Sequence, residues 1–270
     1  MAKNFLINGD KKKSLSPFDR GLAFGDGAFR TFLVENNKPK QWNAHYRKLA
    51  KDLKSIDIPS PSDKLLLSDI QKLFPEKGIF IAKIIVTRGE STSGYDFKKE
   101  IKPTRILLKI DYDKEKYALF KEGVHLTTTK IRASDTSHAG IKHLNRLENV
   151  LARKGLANKF FDAIMLDAND NICDCARSSL FIRYGKNLFT SSNKRYGIHG
   201  VTKKIIEKNI KKLNLTINYS PLKLDQLKEA DEVIVTNSIF GALPVLSFKN
   251  IKWNKGKLAN LINKLINESH

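Results

Sequence analysis

The chain is short of cysteine, of acidic residues and of long apolar runs. Only Cys173 and Cys175 occur in 270 residues, which is too few for a disulfide framework, so the fold must rest on a hydrophobic core. They are read as free thiols, in keeping with a reducing compartment. No run of about 18 apolar residues is present, which excludes a membrane-spanning helix. The opening residues, Met1 to Gly9, meet charge and a turn too soon for a signal peptide, and a cytoplasmic protein is expected. No zinc-ligand spacing occurs, and no metal is expected. Against 49 Lys and Arg there are 28 Asp and Glu, a formal net charge of +21. Such a balance suits nucleic acid. However, the lysines are scattered among Asp, Glu and Asn through periodic elements, without a basic arm or an RNA-recognition aromatic motif. Solvated faces, and a field that attracts an anionic substrate, fit them better.

What is present is a chain of globular composition, 41% hydrophobic, with strands and helices intermixed, an α+β or α/β pattern. Residues 4–8 read as a strand, with a turn at Gly9-Asp10. Residues 28–34 and 39–42 form a hairpin. A helix follows, with Asn43 as N-cap and Tyr46, Leu49, Leu53 and Ile56 on one face. A second helix covers about 61–74, and strands cover 79–87 and 105–110. The charged, weakly patterned stretch after them reads as a linker. This divides the chain into an N-terminal α/β domain (1–113), a linker (114–122) and a C-terminal α/β domain (123–270). In the second domain the strands are 124–131, 162–167, 172–174, 179–184, 187–190, 215–219 and 232–236. Helices are expected at about 144–159, with Leu144, Leu147 and Leu151 on one face, and at 201–213 and 257–267.

One stretch organises the rest: Gly140-Ile141-Lys142-His143-Leu144-Asn145-Arg146-Leu147-Glu148-Asn149. In so lysine-rich a chain, spacing alone would not single out Lys142. The word around it resembles the cofactor-lysine segment of the fold-type IV pyridoxal-phosphate enzymes, and within them the 4-amino-4-deoxychorismate lyases. The resemblance runs from about Phe5 to Val245. It includes Asp19-Arg20 and Phe24-Gly25-Asp26-Gly27, the Arg88-Gly89 and Gly94-Tyr95 pairs, and Thr236-Asn237-Ser238 with Gly241 and Pro244-Val245.

The resemblance implies a two-domain fold-type IV enzyme with its active site between the domains, a homodimer, and pyridoxal 5'-phosphate as cofactor. Lys142 would hold the cofactor covalently and then act as base. Asp174, where the family usually has Glu, would face the pyridine nitrogen, with Ser179 standing where the family has Asn. Val201, Thr202 and Ser238 would bind the phosphate, the first two at a helix N-terminus that favours anions. Lys48 stands for the arginine of the family's first-helix phosphate motif. Lysine neutralises a phosphate as a point charge but lacks the planar fork of arginine. Thr31 would relay a proton to the leaving enolpyruvyl group, and Arg88, Tyr95 and Asn237 would bind substrate, with Ser93 where some members carry a further arginine.

The implied reaction is the conversion of 4-amino-4-deoxychorismate to 4-aminobenzoate and pyruvate, a step in folate synthesis. The nearest alternatives are D-amino-acid and branched-chain aminotransferases of the same fold. Against them, no histidine accompanies Ser93-Gly94-Tyr95, and the residue five after Lys142 is Leu147 rather than tyrosine. An alternative of another class is a basic nucleic-acid-binding protein without catalysis.

Overall fold

The computed structural model describes residues 4–97, 100–192 and 194–268. They fall into two compact units. One comprises the chain up to Tyr112 together with Ile141–Asn145, and the other comprises Asp113–Gly140 and everything from Arg146 onward. The segment carrying Lys142 thus counts with the first unit, although sequence order sets it inside the second.

The first unit is one antiparallel sheet of β1 (Phe5–Ile7), β2 (Gly27–Glu35), β3 (Lys38–Pro39), β4 (Ile79–Thr87) and β5 (Thr104–Asp111), in the order β1-β5-β4-β2-β3. Its helices are α1 (Arg20–Phe24), α2 (Trp42–Lys54) and α3 (Asp63–Leu73). Alternation along β2 sends Phe32 and Val34 into a core with Leu49, Leu53, Leu66, Ile70 and Phe74, while Phe29 and Thr31 belong to the opposite, half-buried set. Truncating any of these core leucines or isoleucines to alanine typically costs about 2–5 kcal/mol.

Two local expectations shift. The first turn is made by Asn8 and Gly9, both at positive φ (51° and 80°), the preference of a tight hairpin. Helix α2 starts before Asn43: Gln41 precedes it in the left-handed region without a side-chain cap. Trp42 fixes the start instead, its ring against Phe32 and its Nε1–H donating to Asp63 Oδ1 at 2.6 Å. Helix α3 is capped conventionally, with Ser62 Oγ accepting the Leu65 N–H.

The second unit is a nine-stranded mixed sheet. It comprises β6 (Val124–Arg132), β7 (Asp162–Leu166), β8 (Ile172–Cys175), β9 (Ser179–Tyr184), β10 (Asn187–Phe189), β11 (Thr216–Asn218), β12 (Glu232–Asn237) and β13 (Gly241–Phe248). The order is β11-β10-β9-β12-β13-β6-β7-β8, and β14 (Ile251–Lys252) pairs with β13. Helices α4 (Lys114–Glu122), α5 (Leu147–Arg153), α6 (Val201–Asn209) and α7 (Leu258–Glu268) accompany it. The sheet curls, so that its last strand, β8, lies beside β9. The Leu180 N–H donates to Asp174 Oδ1 across that junction at 3.0 Å. One core lies around Leu126, Ile164, Val235 and Leu243. The other lies around Phe181, Ile206, Ile234 and Ile262. The two cysteines are buried free thiols.

Two segments depart from the sequence reading. The stretch read as a linker folds as α4, with Asp113 accepting the Lys116 N–H at 2.9 Å. The helix expected at 144–159 is the short α5, and Leu147 is 68% exposed. The backbone around residue 143 is held in antiparallel pairing with β2, by the Ala28–His143 bridge and by Leu144 N–H donating to Gly27 O at 3.0 Å. The chain from 142 to 144 runs extended instead. Among the described residues no helix is long and apolar enough to cross a membrane.

Candidate active site

In the first unit, the edge of β2 beyond β3 receives the Lys142 segment. Phe29 N–H donates to Lys142 O at 3.0 Å, Leu144 N–H donates to Gly27 O at 3.0 Å, and Ala28 pairs with His143. The glycines bracketing Asp26 make room for it. Gly25 has φ +65°, and a Cβ there would lie 2.3 Å from Asn145 Oδ1. A Cβ on Gly27 would lie 2.9 Å from Leu144 Cδ1, and 2.5 Å from Val86 O on the neighbouring strand. Side chains in place of these hydrogens would push the segment off the strand. Lys142 Nζ lies 4.8 Å from the centroid of the Phe29 ring. Thr31 follows two residues along the same alternation.

Beneath this segment lies a buried ion cluster. Asp52, on α2, pairs with Lys48 one helical turn earlier and with Arg30 on β2. Its Oδ2 also accepts the Lys142 backbone N–H at 3.1 Å. Lys48, expected on the cofactor phosphate, therefore already has a carboxylate partner.

His45, on the same helix face, is buried against Phe32 with ring centroids 5.1 Å apart. Burial first, then the charges of Arg30 and Lys142, lower its pKa from 6.5 to about 3. A histidine held neutral in the fold but protonated when unfolded gives stability that is complete above pH 6.5 and lost as pH falls towards 3. The expected loss is about 1.4 kcal/mol per pH unit in that window. Urea unfolding of His45→Gln between pH 4 and 7 should show a shallower acid slope than wild type. An unchanged slope would mean that His45 is not the titrating group.

The remaining first-unit residues serve the loop after β4. Asp19 caps α1 through the Gly21 N–H at 2.8 Å and accepts the Thr87 hydroxyl at 2.8 Å. Arg88 is expected on the substrate, but the structure commits it elsewhere. Its guanidinium donates to both Asp26 oxygens (2.7 and 3.1 Å), to Asp57 O (2.9 Å) and to Ile56 O (2.7 Å). It also lies 3.7 Å from the Phe97 ring centroid. Arg20 donates to Asp26 and to the carbonyls of Ser93, Gly94, Tyr95 and Asp96. The two arginines hold the shape of the loop, and Tyr95 at its tip is 88% exposed.

In the second unit, Asp174 on β8 is buried and aligned by the Leu180 N–H. The turn after it is fastened by Asn149 Nδ2 donating to Ala176 O at 2.8 Å and by Ser178 Oγ donating to Asp162 Oδ2 at 2.6 Å. Helix α6 opens after Gly200 with no side-chain cap. Here Thr202 Oγ1 and Ser238 Oγ stand 3.0 Å apart. Asn237 is used locally: its Oδ1 accepts the N–H groups of Ile239 and Phe240 at 2.8 and 3.1 Å, holding the turn that carries Ser238. Gly140, two residues before Lys142, is bonded to the run before α6. Its N–H donates to Gly197 O at 2.9 Å, and its carbonyl accepts the His199 N–H at 3.2 Å.

Two lysines escaped the sequence reading. Lys83, within the apolar run of β4, pairs across the strands with Thr31, and its Nζ lies 4.9 Å from the centroid of the same Phe29 ring. Burial lowers its pKa. Lys203, on α6, is 1% exposed, and its ammonium donates to Ser191 O. Burial lowers its pKa, opposed by Asp174 and Glu207. Each had a signal: a lysine inside a β-branched run, and a lysine in register with Ile206 and Ile210 on an apolar helix stripe.

The second unit suits the phosphate end of pyridoxal phosphate. The uncapped start of α6 favours an anion, and a Cβ on Gly200 would meet only Ser179 Oγ, at 4.0 Å. The Thr236 hydroxyl, opposite Ser179 in the strand register, is buried without a hydrogen-bond partner. Such an orphan calls for a ligand or water.

The family model for amino-transferase class IV matches residues 27–248. An aminodeoxychorismate lyase of Vibrio harveyi is 26% identical over 89% of this chain and 90% of its own length. A D-alanine aminotransferase of Staphylococcus aureus is 26% identical over 98% and 95%. The crystal structure of 4-amino-4-deoxychorismate lyase from Pseudomonas aeruginosa superposes with a TM-score of 0.88 at 29% identity, covering 98% of each chain.

Proposed function

The chain belongs to the class IV aminotransferase family, and on that footing we propose that it is a pyridoxal-phosphate-dependent lyase converting 4-amino-4-deoxychorismate to 4-aminobenzoate and pyruvate. The observation that carries this is the seating of Lys142 on β2, with its amine 4.8 Å from the centroid of the Phe29 ring, which Lys83 also approaches, and Thr31 following on the same strand. The likeness to the Pseudomonas and Vibrio lyases supports the choice of reaction.

Bound pyridoxal phosphate supplies an electron sink. Lys142 would hold it covalently and afterwards hold, at Nζ, the proton taken from the amine-bearing ring carbon of the substrate. The Asp174 carboxylate would serve as the acid for the pyridine nitrogen and keep it protonated. Thr202, Ser238 and the Val201 N–H hold the phosphate, and Lys48 adds charge. Thr31 passes a proton to the departing enolpyruvyl group. Lys83 binds a substrate carboxylate, which restores a cation where Ser93 has none to offer. Arg88 and Asn237 act by shaping the loop and the turn that carry Tyr95 and Ser238. Exposed apolar side chains in each unit, Phe18 and Leu22 in one and Leu147 and Val150 in the other, fit surfaces that a second copy covers, and support a homodimer.

Removing either hydroxyl should weaken the cofactor's phosphate grip. Thr202→Val or Ser238→Ala is expected to weaken pyridoxal phosphate binding by about tenfold, the size of one hydrogen bond to a charged group. Binding of pyridoxal, which lacks the phosphate, should be unaffected. Spectrophotometric titration with both aldehydes checks this, and equal losses for the two would place the hydroxyls away from the phosphate.

The deciding assay follows 4-aminobenzoate and pyruvate together from 4-amino-4-deoxychorismate. Equimolar release supports the lyase. If instead the bound chromophore responds to D-alanine or branched-chain amino acids, and no 4-aminobenzoate forms, the protein is an aminotransferase.

A further inference from the structure

Asp52 lies where the helix pattern calls for an apolar residue. On α2 the buried side is made of Trp42, His45, Leu49, Asp52 and Leu53, and Asp52 is 1% exposed. A carboxylate is strongly disfavoured in such a place unless cations and donors converge on it. Here three groups do, from three stretches of chain: Lys48 from its own helix, Arg30 from β2, and the Lys142 N–H at 3.1 Å.

We propose that Asp52 is a positioning residue for Lys142, one buried carboxylate that anchors the backbone of the cofactor lysine and balances the cations around its amine. This rests on the reading of Lys142 given above. The anchoring is direct. The Lys142 carbonyl accepts from Phe29, so with Asp52 on its N–H both backbone polar groups of Lys142 are held. The amine then reaches the Phe29 ring from a fixed Cα, leaving only side-chain freedom to be lost on reaction.

The balance concerns charge. The groups around the Lys142 segment are Arg30 from β2, Lys83 from β4, His45, Lys48 and Asp52 from α2, and His143 beside it. Burial keeps His45 neutral, and Asp52 supplies a negative charge to this group of described residues. A purely structural ion pair would tie α2 to β2 equally well, but it would leave the acidity of the Lys142 nitrogen unmoved.

The test compares wild type, Asp52→Asn and Asp52→Asn/Arg30→Gln, each loaded with pyridoxal phosphate, by the pH midpoint of the cofactor's colour change. Removing the anion takes a negative charge away while Arg30 and Lys48 keep their positive charges, which disfavours the proton on the lysine nitrogen. The midpoint of Asp52→Asn should fall by about one unit or more, within the usual range for a nearby charge. The double variant restores the cluster's net charge, and its midpoint should return towards wild type. An unchanged midpoint in Asp52→Asn, or a fall that the second substitution does not reverse, overturns the charge role.

The anchoring is read without cofactor, by hydrogen exchange of the Lys142 amide in wild type and in Asp52→Leu/Arg30→Leu. That pair exchanges a buried ion pair for apolar groups, a change that folds commonly tolerate. Exchange at Lys142 should speed up at least tenfold while amides on β4 stay protected, and equal protection overturns the anchoring. Should wild type take up no pyridoxal phosphate, it is the cofactor reading that fails, and the exchange result still decides what Asp52 holds.

Discussion

Lys142→Ala releases neither 4-aminobenzoate nor pyruvate and carries no bound chromophore. The expected loss is about 10⁴-fold or more, because one nitrogen provides both covalent attachment and proton transfer, and proton transfer alone contributes ~10²–10⁴. The fold should survive. The contacts that seat residue 142 on β2 and Asp52 use its backbone N–H and carbonyl, which alanine keeps. The informative control is Lys83→Ala. Both amines stand about equally far from the Phe29 ring, at 4.8 and 4.9 Å, so proximity alone does not say which one reacts. If Lys142 is the attachment point, Lys83→Ala keeps the chromophore and loses substrate affinity, seen as a raised KM. A coloured, active Lys142→Ala protein would transfer the role to Lys83 or remove the chemistry altogether.

Asp174→Asn lowers turnover by about 10³-fold, some 4 kcal/mol in the barrier, without unfolding the protein. Asparagine is the sharper choice over alanine. Its amide oxygen can still accept the Leu180 N–H, whereas alanine would strand a buried donor at a cost of about 1–3 kcal/mol. What asparagine lacks is the charge that keeps the cofactor's pyridine nitrogen protonated. Asp174→Glu lengthens the acid by one methylene, to the residue that the family resemblance leads one to expect, and should keep most of the activity. Wild-type kinetics in Asp174→Asn would exclude the ring-acid role.

Much of this was readable from residue order. The strands of the first sheet follow from β-branched runs with period two, and α3 from Ser62 ahead of its apolar stripe. The proposed cofactor lysine was singled out by its word, as were Asp174, Thr202 and Ser238, because each motif is contiguous and local geometry determines how it folds. The misreadings share a cause. Leu144, Leu147 and Leu151 have helical spacing, yet β2 takes the backbone of residue 144 and most of that helix does not form. Arg88 and Asn237 lie in the right motifs, but their polar atoms are used by Asp26, by the carbonyls of Ile56 and Asp57, and by the turn at Ile239–Phe240.

The sequence by itself therefore determined the fold class and the family and nominated candidate residues for the chemistry, since side-chain periodicity and short motifs act over a few residues. Only the tertiary structure decided which of those residues remain available. It also showed that Asp52, 90 positions before Lys142, holds that lysine's backbone, and that Lys83 and Lys203 are half-buried or buried rather than solvated. Such pairings depend on which surfaces pack together once the chain has closed on itself, and a buried charge is tolerated only where that packing brings its partners.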